Sequence, residues 1–378
     1  MTTIKMRAAA TLKAEWPLYF NAATAVAFVT GGQHLLEDLS HPVRFALVLT
    51  WLVLVVLFSA FAVVRHAEQL AAKLGEPFGT LILTLAVTGI EVTILFATMS
   101  TGTGSATIAR DTLFAIVMIV LNGLVGLTLL IGGLRYREQD YNLQGASAFL
   151  AVILPLAVIG LVLPSFTRST PDQSFSPLQA SVWIVVSVAL YAVFLAIQNV
   201  RHRAFFQSAE SSANGSTNDT ATAAKTVARG SAYHTILLVT HILLLVLLAK
   251  QIAVPIEFTI RVFGAPVALA GFLVAALVLA PEALTALRAA FANDLQRSVN
   301  ILLGSALATI GLTIPAVLAF GLLADRNIVL GLEPVDMTML ALTLLQSTMT
   351  FTSSRTNVLL GAVHLLLFSV YLLLIFQR

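Results

Sequence analysis

Two acidic residues, Glu91 and Glu282, stand inside long apolar segments of the chain. Glu91 belongs to Thr84-Leu-Ala-Val-Thr-Gly-Ile-Glu-Val-Thr-Ile94, and Glu282 directly follows Pro281 within the segment 267–290. Burying an ionised carboxylate in hydrocarbon is expensive, so a membrane protein that keeps one generally uses it. Two facing carboxylates can neutralise one divalent cation, or each can take a proton. Like charges disfavour each other, so the pair is not expected to remain ionised without a cation. The pair therefore predicts a site that carries a cation and protons in turn.

Further oxygen ligands are expected around these carboxylates. Calcium takes about six to eight oxygens, of which two carboxylates supply at most four. Pro281 lacks a backbone N–H and so frees the carbonyl oxygen of Leu277, which becomes a ligand candidate. Each side-chain candidate could instead serve helix–helix packing rather than bind the cation. For the two acids, the alternative to cation binding is a structural hydrogen bond between helices. The side-chain candidates are Thr88, Asn122, Ser305 and Asn300.

The composition places this pair in a membrane protein. Hydrophobic residues make up 58% of the chain and charged residues 10%, against roughly 25% charged residues in a soluble domain. The absence of cysteine excludes disulfides, thiolate metal sites, iron–sulfur clusters and cysteine nucleophiles. The net charge of +3 is small and spread along the chain, which argues against nucleic acid as a partner. We expect the lipid bilayer as the surroundings and no cofactor, since the cation is a transported substrate.

The apolar segments predict an all-α integral membrane protein. A helix needs about 20 mainly apolar residues to cross a bilayer. The runs are long and lack period-two alternation, which favours helices over barrel strands. The first, fifth, seventh and tenth segments are short or polar, so their boundaries are soft. Eleven spans are predicted, at roughly 16–32, 44–64, 77–99, 112–134, 146–163, 178–198, 234–250, 265–288, 299–323, 337–353 and 357–376.

The placement of lysine and arginine predicts the orientation. With the N-terminus in the cytoplasm and eleven spans, fourteen of the 21 basic residues fall in cytoplasmic loops, the bias that the positive-inside rule expects. The C-terminus then lies outside. The basic residues Lys5, Arg7 and Lys13 precede the apolar run 16–29, which has no convincing cleavage site. We interpret this run as a retained first span rather than a signal peptide.

A polar stretch divides the spans into two halves. Gln207–Gly230 is rich in small polar residues and predicts a flexible cytoplasmic linker. The chain then divides into an N-terminal segment with the first helix, a five-helix repeat, the linker and a second five-helix repeat. Each repeat has an odd number of spans, so the two are oppositely oriented, which is typical of secondary transporters. The predicted boundaries are 1–40, 41–200, 201–233 and 234–378, with the repeat motifs at about 75–134 and 265–317.

The two halves also show a weak internal repeat in sequence. In each half, an acid-bearing helix is followed by a helix with a polar position near its middle. The alignment pairs Asp111 with Asp294 and Asn122-Gly123 with Ser305-Ala306. The polar positions of the following helices, Asn122 and Ser305, are therefore the paired ligand candidates.

Three stretches resemble a known family. They are 75–84 running on to Ile90-Glu91, Pro281-Glu-Ala-Leu-Thr-Ala-Leu-Arg-Ala-Ala290, and Leu303-Gly-Ser-Ala-Leu-Ala-Thr-Ile-Gly-Leu-Thr-Ile-Pro315. They resemble the two repeats of bacterial Ca2+/H+ antiporters of the calcium/cation antiporter superfamily. The resemblance implies two inverted five-helix repeats plus an extra N-terminal helix, in the inner membrane. It also implies that one glutamate from each repeat, by position Glu91 and Glu282, carries Ca2+ and H+ in turn. Close bacterial relatives are also associated with Na+/H+ and K+/H+ exchange, so the cation stays open.

The sequence thus predicts a secondary transporter, not an enzyme, that exchanges cytoplasmic Ca2+ for protons by alternating access. The nearest alternative is Na+/H+ or K+/H+ exchange by the same fold. A proton-channelling subunit of a membrane complex would need a chain of titratable groups, and an intramembrane enzyme would need a nucleophile or a metal-ligand cluster. His241 and His364 lie in apolar spans, where helix packing is favoured over proton relay. The oligomeric state is left open.

Overall fold

The computed structural model describes residues 15–75, 78–100, 106–206 and 230–377. Within these residues the chain forms a bundle of helices, with a short helix at Gln33–Glu37 and one two-stranded sheet. Parts of the sequence predictions lie outside the described residues. They are the basic start of the chain, positions 76–77 and 101–105 of the first repeat motif, 207–229 of the linker and position 378.

Eleven longer helices account for the predicted spans. Each predicted segment falls on one of them, which confirms the all-α fold. In chain order they are α1 (Trp16–Thr30), α2 (Pro42–Leu74), α3 (Phe78–Ser100), α4 (Ile108–Tyr136), α5 (Leu143–Ser165), α6 (Pro177–Arg201), α7 (Ser231–Phe263), α8 (Val267–Phe291), α9 (Leu295–Leu323), α10 (Pro334–Thr350) and α11 (Val358–Phe376).

Among the described residues, nine of these helices are long and apolar enough to cross a membrane. The other two are α1, with 15 residues, and α10, with 17 residues. At 1.5 Å per residue they are roughly 22 and 25 Å long, shorter than the ~30 Å hydrocarbon core. Nine helices therefore meet the requirement for a membrane span by length and composition, and two fall slightly below it.

Helices α2 and α7 are longer than predicted. The sequence placed them at 44–64 and 234–250, so that each prediction ended at a basic residue, Arg65 or Lys250. In the structure both helices continue past these residues and reach 33 residues each. A basic side chain near a helix end can keep its charged group at the interface while its stem lies along apolar surface. The charge therefore does not end the helix.

The two halves of the bundle match in helix length. Five helices, α2–α6, precede the linker and five, α7–α11, follow it. The first helices of the two halves have 33 residues each, and the third helices, α4 and α9, have 29 residues each. Helices α2 and α7 pack against each other, and α1 packs on α2. Because five is odd, helices at equal positions in the two halves run in opposite directions if all of them cross.

Helices α4 and α9 each contain one π-helical segment near the middle, Ile119–Leu124 and Thr309–Thr313. In α9 the cause is visible in the sequence. Pro315 has no N–H to donate to the carbonyl of Gly311, and the Ser187 hydroxyl donates to that carbonyl instead, at 3.2 Å. Segments of this kind occur frequently at functional sites.

Position within the helix gives a pairing that differs from the internal sequence alignment. Asn122 is the fifteenth residue of α4, and the fifteenth residue of α9 is Thr309. The sequence alignment had paired Asn122 with Ser305, which lies four residues, or one helical turn, earlier. The counterpart of Asn122 by position in its helix is therefore Thr309.

The helix that carries Glu282 lies directly against α4. At Gly271 of α8, an added Cβ would lie 2.8 Å from the backbone of Asp111 and Thr112. Only a residue without a side chain permits this approach, and small residues serve the same purpose in other membrane helix pairs. This close packing fixes the position of α8 in the bundle.

Candidate functional site

The structure brings the two predicted acids together inside the bundle. Glu91 is 4% exposed and Glu282 is 9% exposed. Their helices, α3 and α8, are in contact, and the two carboxyl groups are near enough for their charges to interact. The two carboxyl groups thus come from opposite halves of the chain and are both buried in its interior.

The two acids lie at different depths from one face of the bundle. We define the linker face as the face where α6 ends at Arg201 and α7 begins at Ser231. Helix α3 begins at this face and α8 ends there. Glu91 is thirteen residues beyond Phe78, about 20 Å along α3, whereas Glu282 is nine residues before Phe291, about 14 Å along α8. Glu282 is therefore nearer to the linker face.

Within the described part of the chain, three of the four carboxyl oxygens of this pair have no hydrogen-bond partner. The Thr309 hydroxyl of α9 donates to Glu91 Oε2 at 3.0 Å. Glu91 Oε1 and both oxygens of Glu282 are buried and unpaired. Most buried polar atoms in proteins are paired, and unpaired ones call for an explanation. A structural role would engage these oxygens, whereas a cation or proton site leaves them available.

Further hydroxyl oxygens lie near the Glu91 carboxyl group. Thr88 lies about one turn before Glu91, and Thr313 of α9 lies beside the Glu91 carboxyl. The hydroxyl oxygens of both threonines are buried without a partner. Carboxylate and hydroxyl oxygens are hard ligands of the type preferred by alkali and alkaline-earth cations.

Thr309 and Thr313 were missing from the sequence prediction. A signal for them is present in the motif that ends at Pro315, where two hydroxyl residues four positions apart share one face of α9. The sequence analysis instead names Ser305, one helical turn earlier, as the polar position of α9.

Two of the predicted ligands are engaged elsewhere. Asn122 Nδ2 donates to Thr343 Oγ1 at 2.7 Å, and Asn122 Oδ1 lies 3.3 Å from His364 Nδ1. This amide therefore joins α4 to α10 and α11. Asn300 Nδ2 donates to the carbonyl of Phe206 at 2.7 Å. Both contacts agree with the packing alternative.

A cavity of about 280 Å³ leads from Glu282 to the linker face. Ser305 lies in its wall, and Glu68, Gln198 and Arg297 lie at its mouth. Of the two acids, only Glu282 is among the described residues that line this cavity. A cation or proton that enters from the linker face therefore reaches Glu282 first.

The sequence matches the sodium/calcium exchanger protein family over residues 44–200 and 233–377. The chain belongs to this family. The resemblance drawn from the repeat motifs is thereby confirmed, and the chain is a transporter of the calcium/cation antiporter superfamily.

Two curated relatives support this assignment. The protein y4hA of Sinorhizobium fredii is 46% identical over 318 residues, which cover 84% of this chain and 85% of y4hA. The sodium-potassium/proton antiporter ChaA of Escherichia coli is 41% identical over 321 residues, 85% of this chain and 86% of ChaA. Both relatives are named as ion transporters. This agrees with the prediction that the present exchanger family member is a transporter and not an enzyme.

A solved structure shows the same fold. The structure of YfkE superposes with a TM-score of 0.71 and covers 96% of this chain and all of YfkE, at 17% identity. YfkE is described as a Ca2+/H+ antiporter in a second solved structure of that protein. At 17% identity the match establishes the fold of this exchanger family member. It does not establish which cation the protein transports.

Proposed function

We propose that this exchanger family member is a Ca2+/H+ antiporter that exports cytoplasmic Ca2+ across the inner membrane. The observation that carries the proposal is the buried pair Glu91 and Glu282, with three of its four carboxyl oxygens unpaired. Each half of the chain contributes one of these acids. Glu282 lines the cavity that leads toward the linker face, whereas Glu91 is not among its lining residues.

The exchange follows from charge balance in a buried site. Two ionised carboxylates neutralise one Ca2+, and two protons neutralise the same pair. Either state can be buried, whereas two bare carboxylates side by side are strongly disfavoured. Ca2+ therefore leaves the site when protons arrive, and protons leave when Ca2+ arrives.

Alternating access is the second part of the proposal. The cavity opens at the linker face, which the distribution of basic residues assigns to the cytoplasm. The structure then corresponds to a state in which Glu282 accepts a cation from the cytoplasm. The N-terminus is also cytoplasmic in this orientation, and the C-terminus is outside.

The ligand set favours Ca2+ by electrostatics. Two carboxylates supply up to four oxygens, and the hydroxyls of Thr88, Thr309 and Thr313 bring the total to as many as seven, within the range of about six to eight that Ca2+ takes. Ser305, Asn300 and Asn122 stay as further candidates only if the site rearranges, since their side chains now lie in the cavity wall or in contacts with other groups.

Exchange of Na+ or K+ for protons is the second candidate function. The 41% identity to ChaA, a sodium-potassium/proton antiporter, favours it. The neutral ligands beside the carboxylates are hydroxyls, which can also serve a monovalent ion while one carboxyl keeps its proton. The fold is the same for both candidates, so only the cation distinguishes them.

Proton release in everted membrane vesicles tests the proposal. Vesicles that contain the protein are acidified inside, and Ca2+, Na+ and K+ are added separately while an internal pH dye is monitored. We expect Ca2+ to dissipate the pH gradient at the lowest concentration, with protein-free vesicles as the control. A response to Na+ or K+ alone would favour the second candidate, and no response to any cation would refute antiport.

A further inference from the structure

A second cluster of buried ionisable side chains lies on other helices. Glu15 directly precedes α1, His66 lies in α2, and His234 and His241 lie in α7. All four side chains are buried. Helices α1, α2 and α7 pack against one another, so this histidine cluster joins three separate stretches of the chain close to the linker face.

Three of these residues have ligand atoms close enough for a single metal ion. One ligand atom from each of Glu15, His66 and His241 lies within 4.8 Å of the other two. Glu15 Oε2 and His66 Nε2 are 3.3 Å apart. Two ligands about 2.0–2.1 Å from a tetrahedral zinc ion are themselves roughly 3.3 Å apart. This pair therefore already has the spacing of zinc ligands.

The remaining polar atoms of Glu15 and His66 are held by the first turn of α7. The Tyr233 hydroxyl donates to Glu15 Oε1 at 2.8 Å. His66 Nδ1 is paired with His234 Nδ1 at 3.1 Å. Metal-binding side chains are typically oriented in this way by hydrogen bonds to the atom that does not face the metal. The arrangement directs Glu15 Oε2 and His66 Nε2 toward the same point.

His241 supplies an independent observation. Its side chain is 0% exposed, and neither ring nitrogen has a hydrogen-bond partner among the residues that the structure describes. Its ring stacks on that of His66, with centroids 5.7 Å apart. A fully buried imidazole without any partner is costly, and coordination of a metal by one ring nitrogen would remove part of that cost.

A cationic group already contacts two of the predicted ligands. The guanidinium of Arg65 donates to Glu15 Oε2 and lies 3.2 Å from His66 Nε2. Because Glu15 Oε2 lies 3.3 Å from the same ring nitrogen, the tautomer of His66 decides whether Nε2 accepts from Arg65 or donates to Glu15. The Arg65 side chain is 40% exposed, so it can move to solvent when a metal ion arrives.

We propose that Glu15, His66 and His241 form a binding site for a zinc-class divalent metal ion that joins α1, α2 and α7 at the linker face. Imidazole nitrogens favour Zn2+, Co2+ and Ni2+, whereas Ca2+ prefers an all-oxygen shell. The site is therefore distinct in chemistry from the Glu91 and Glu282 pair. Its occupancy does not depend on the proposed transport function.

Zinc titration of the purified full-length protein in detergent tests this site. Calorimetry measures Zn2+ binding, and Co2+ absorption reports nitrogen coordination. We expect one site that persists in Glu282→Gln and in the presence of excess Ca2+. His241→Gln should weaken binding at least ~100-fold, and His234→Gln, which affects a supporting residue, by about 10–100-fold. The exposed His202, which stacks on Phe205, provides the control variant His202→Gln with unchanged binding.

Arg65→Gln is expected to strengthen Zn2+ binding, a result that misfolding of the variant would not produce. Removing the competing positive charge beside the ligands should raise Zn2+ affinity, roughly tenfold. Folding of every variant is checked by its elution as a single species. Unchanged Zn2+ affinity in His241→Gln, no binding by folded wild type, or complete competition by Ca2+ would each overturn the proposal.

Discussion

Replacing Glu282 or Glu91 by glutamine is expected to abolish cation-driven proton exchange. Glutamine keeps the size of the side chain but can neither neutralise the cation nor carry the proton. A buried charge that loses an oppositely charged partner is destabilised by about 3–5 kcal/mol. The bound cation would lose one carboxylate, so cation affinity should fall at least ~100-fold. The measurement is the dissipation of the pH gradient in vesicles, at equal amounts of inserted protein.

Glu138→Gln is the matched control for these variants. Its side chain is 59% exposed and pairs with Arg355 at the surface, so the same chemical change there should leave exchange intact. Normal exchange by Glu91→Gln or Glu282→Gln would show that the buried pair is not the transport site.

A single cysteine in the cavity wall is expected to make transport sensitive to a thiol reagent. The chain contains no cysteine, so Ser305→Cys introduces a unique thiol. Ser305 lies in the cavity between the linker face and Glu282. A bulky, membrane-impermeant reagent should react from the linker face and then block nearly all exchange, because it fills much of a cavity of about 280 Å³. Labelling and exchange are both measured, with the reagent on one side at a time.

Asp325→Cys provides the opposite-face control. Asp325 is exposed just beyond the end of α9, which begins at the linker face. It should be labelled from the other face, with exchange largely retained. If labelled Ser305→Cys still exchanged at the wild-type rate, the cavity would not be the path to Glu282.

The helical fold and the two acids could be predicted from sequence because both signals are local. A long apolar segment is costly to expose to water, and a lone acid within it is visible without knowledge of its neighbours. Helices α2 and α7 extend beyond their predicted ends because the prediction stops each span at a basic residue, Arg65 or Lys250. A long basic side chain can reach the interface from within a helix, so its charge does not define the end.

The ligands beyond the acids depend on tertiary contacts that sequence spacing does not encode. The π-helical segment of α9 follows from Pro315 together with the Ser187 hydroxyl, which comes from α6. This segment places Thr309 against Glu91. Asn122 was a reasonable candidate by type, but its amide is bound to α10 and α11.

The histidine cluster also depends on tertiary contacts that sequence spacing does not encode. Glu15, His66 and His241 are separated by about 50 and 175 residues in sequence, so no motif spacing connects them. From sequence, His241 was interpreted as a packing residue of an apolar span. Its relation to Glu15 and His66 depends on how α1, α2 and α7 pack, and it becomes visible only in the folded chain.

The most direct test of the central claim is proton release on cation binding by the purified protein. Ca2+ is added to the protein in weakly buffered detergent solution, bound Ca2+ is measured by calorimetry, and released protons are measured with a pH indicator. We expect proton release in step with Ca2+ binding, up to one proton from each carboxyl group, and the loss of this release in Glu282→Gln. Ca2+ binding to the wild type without proton release at any pH would contradict the central claim.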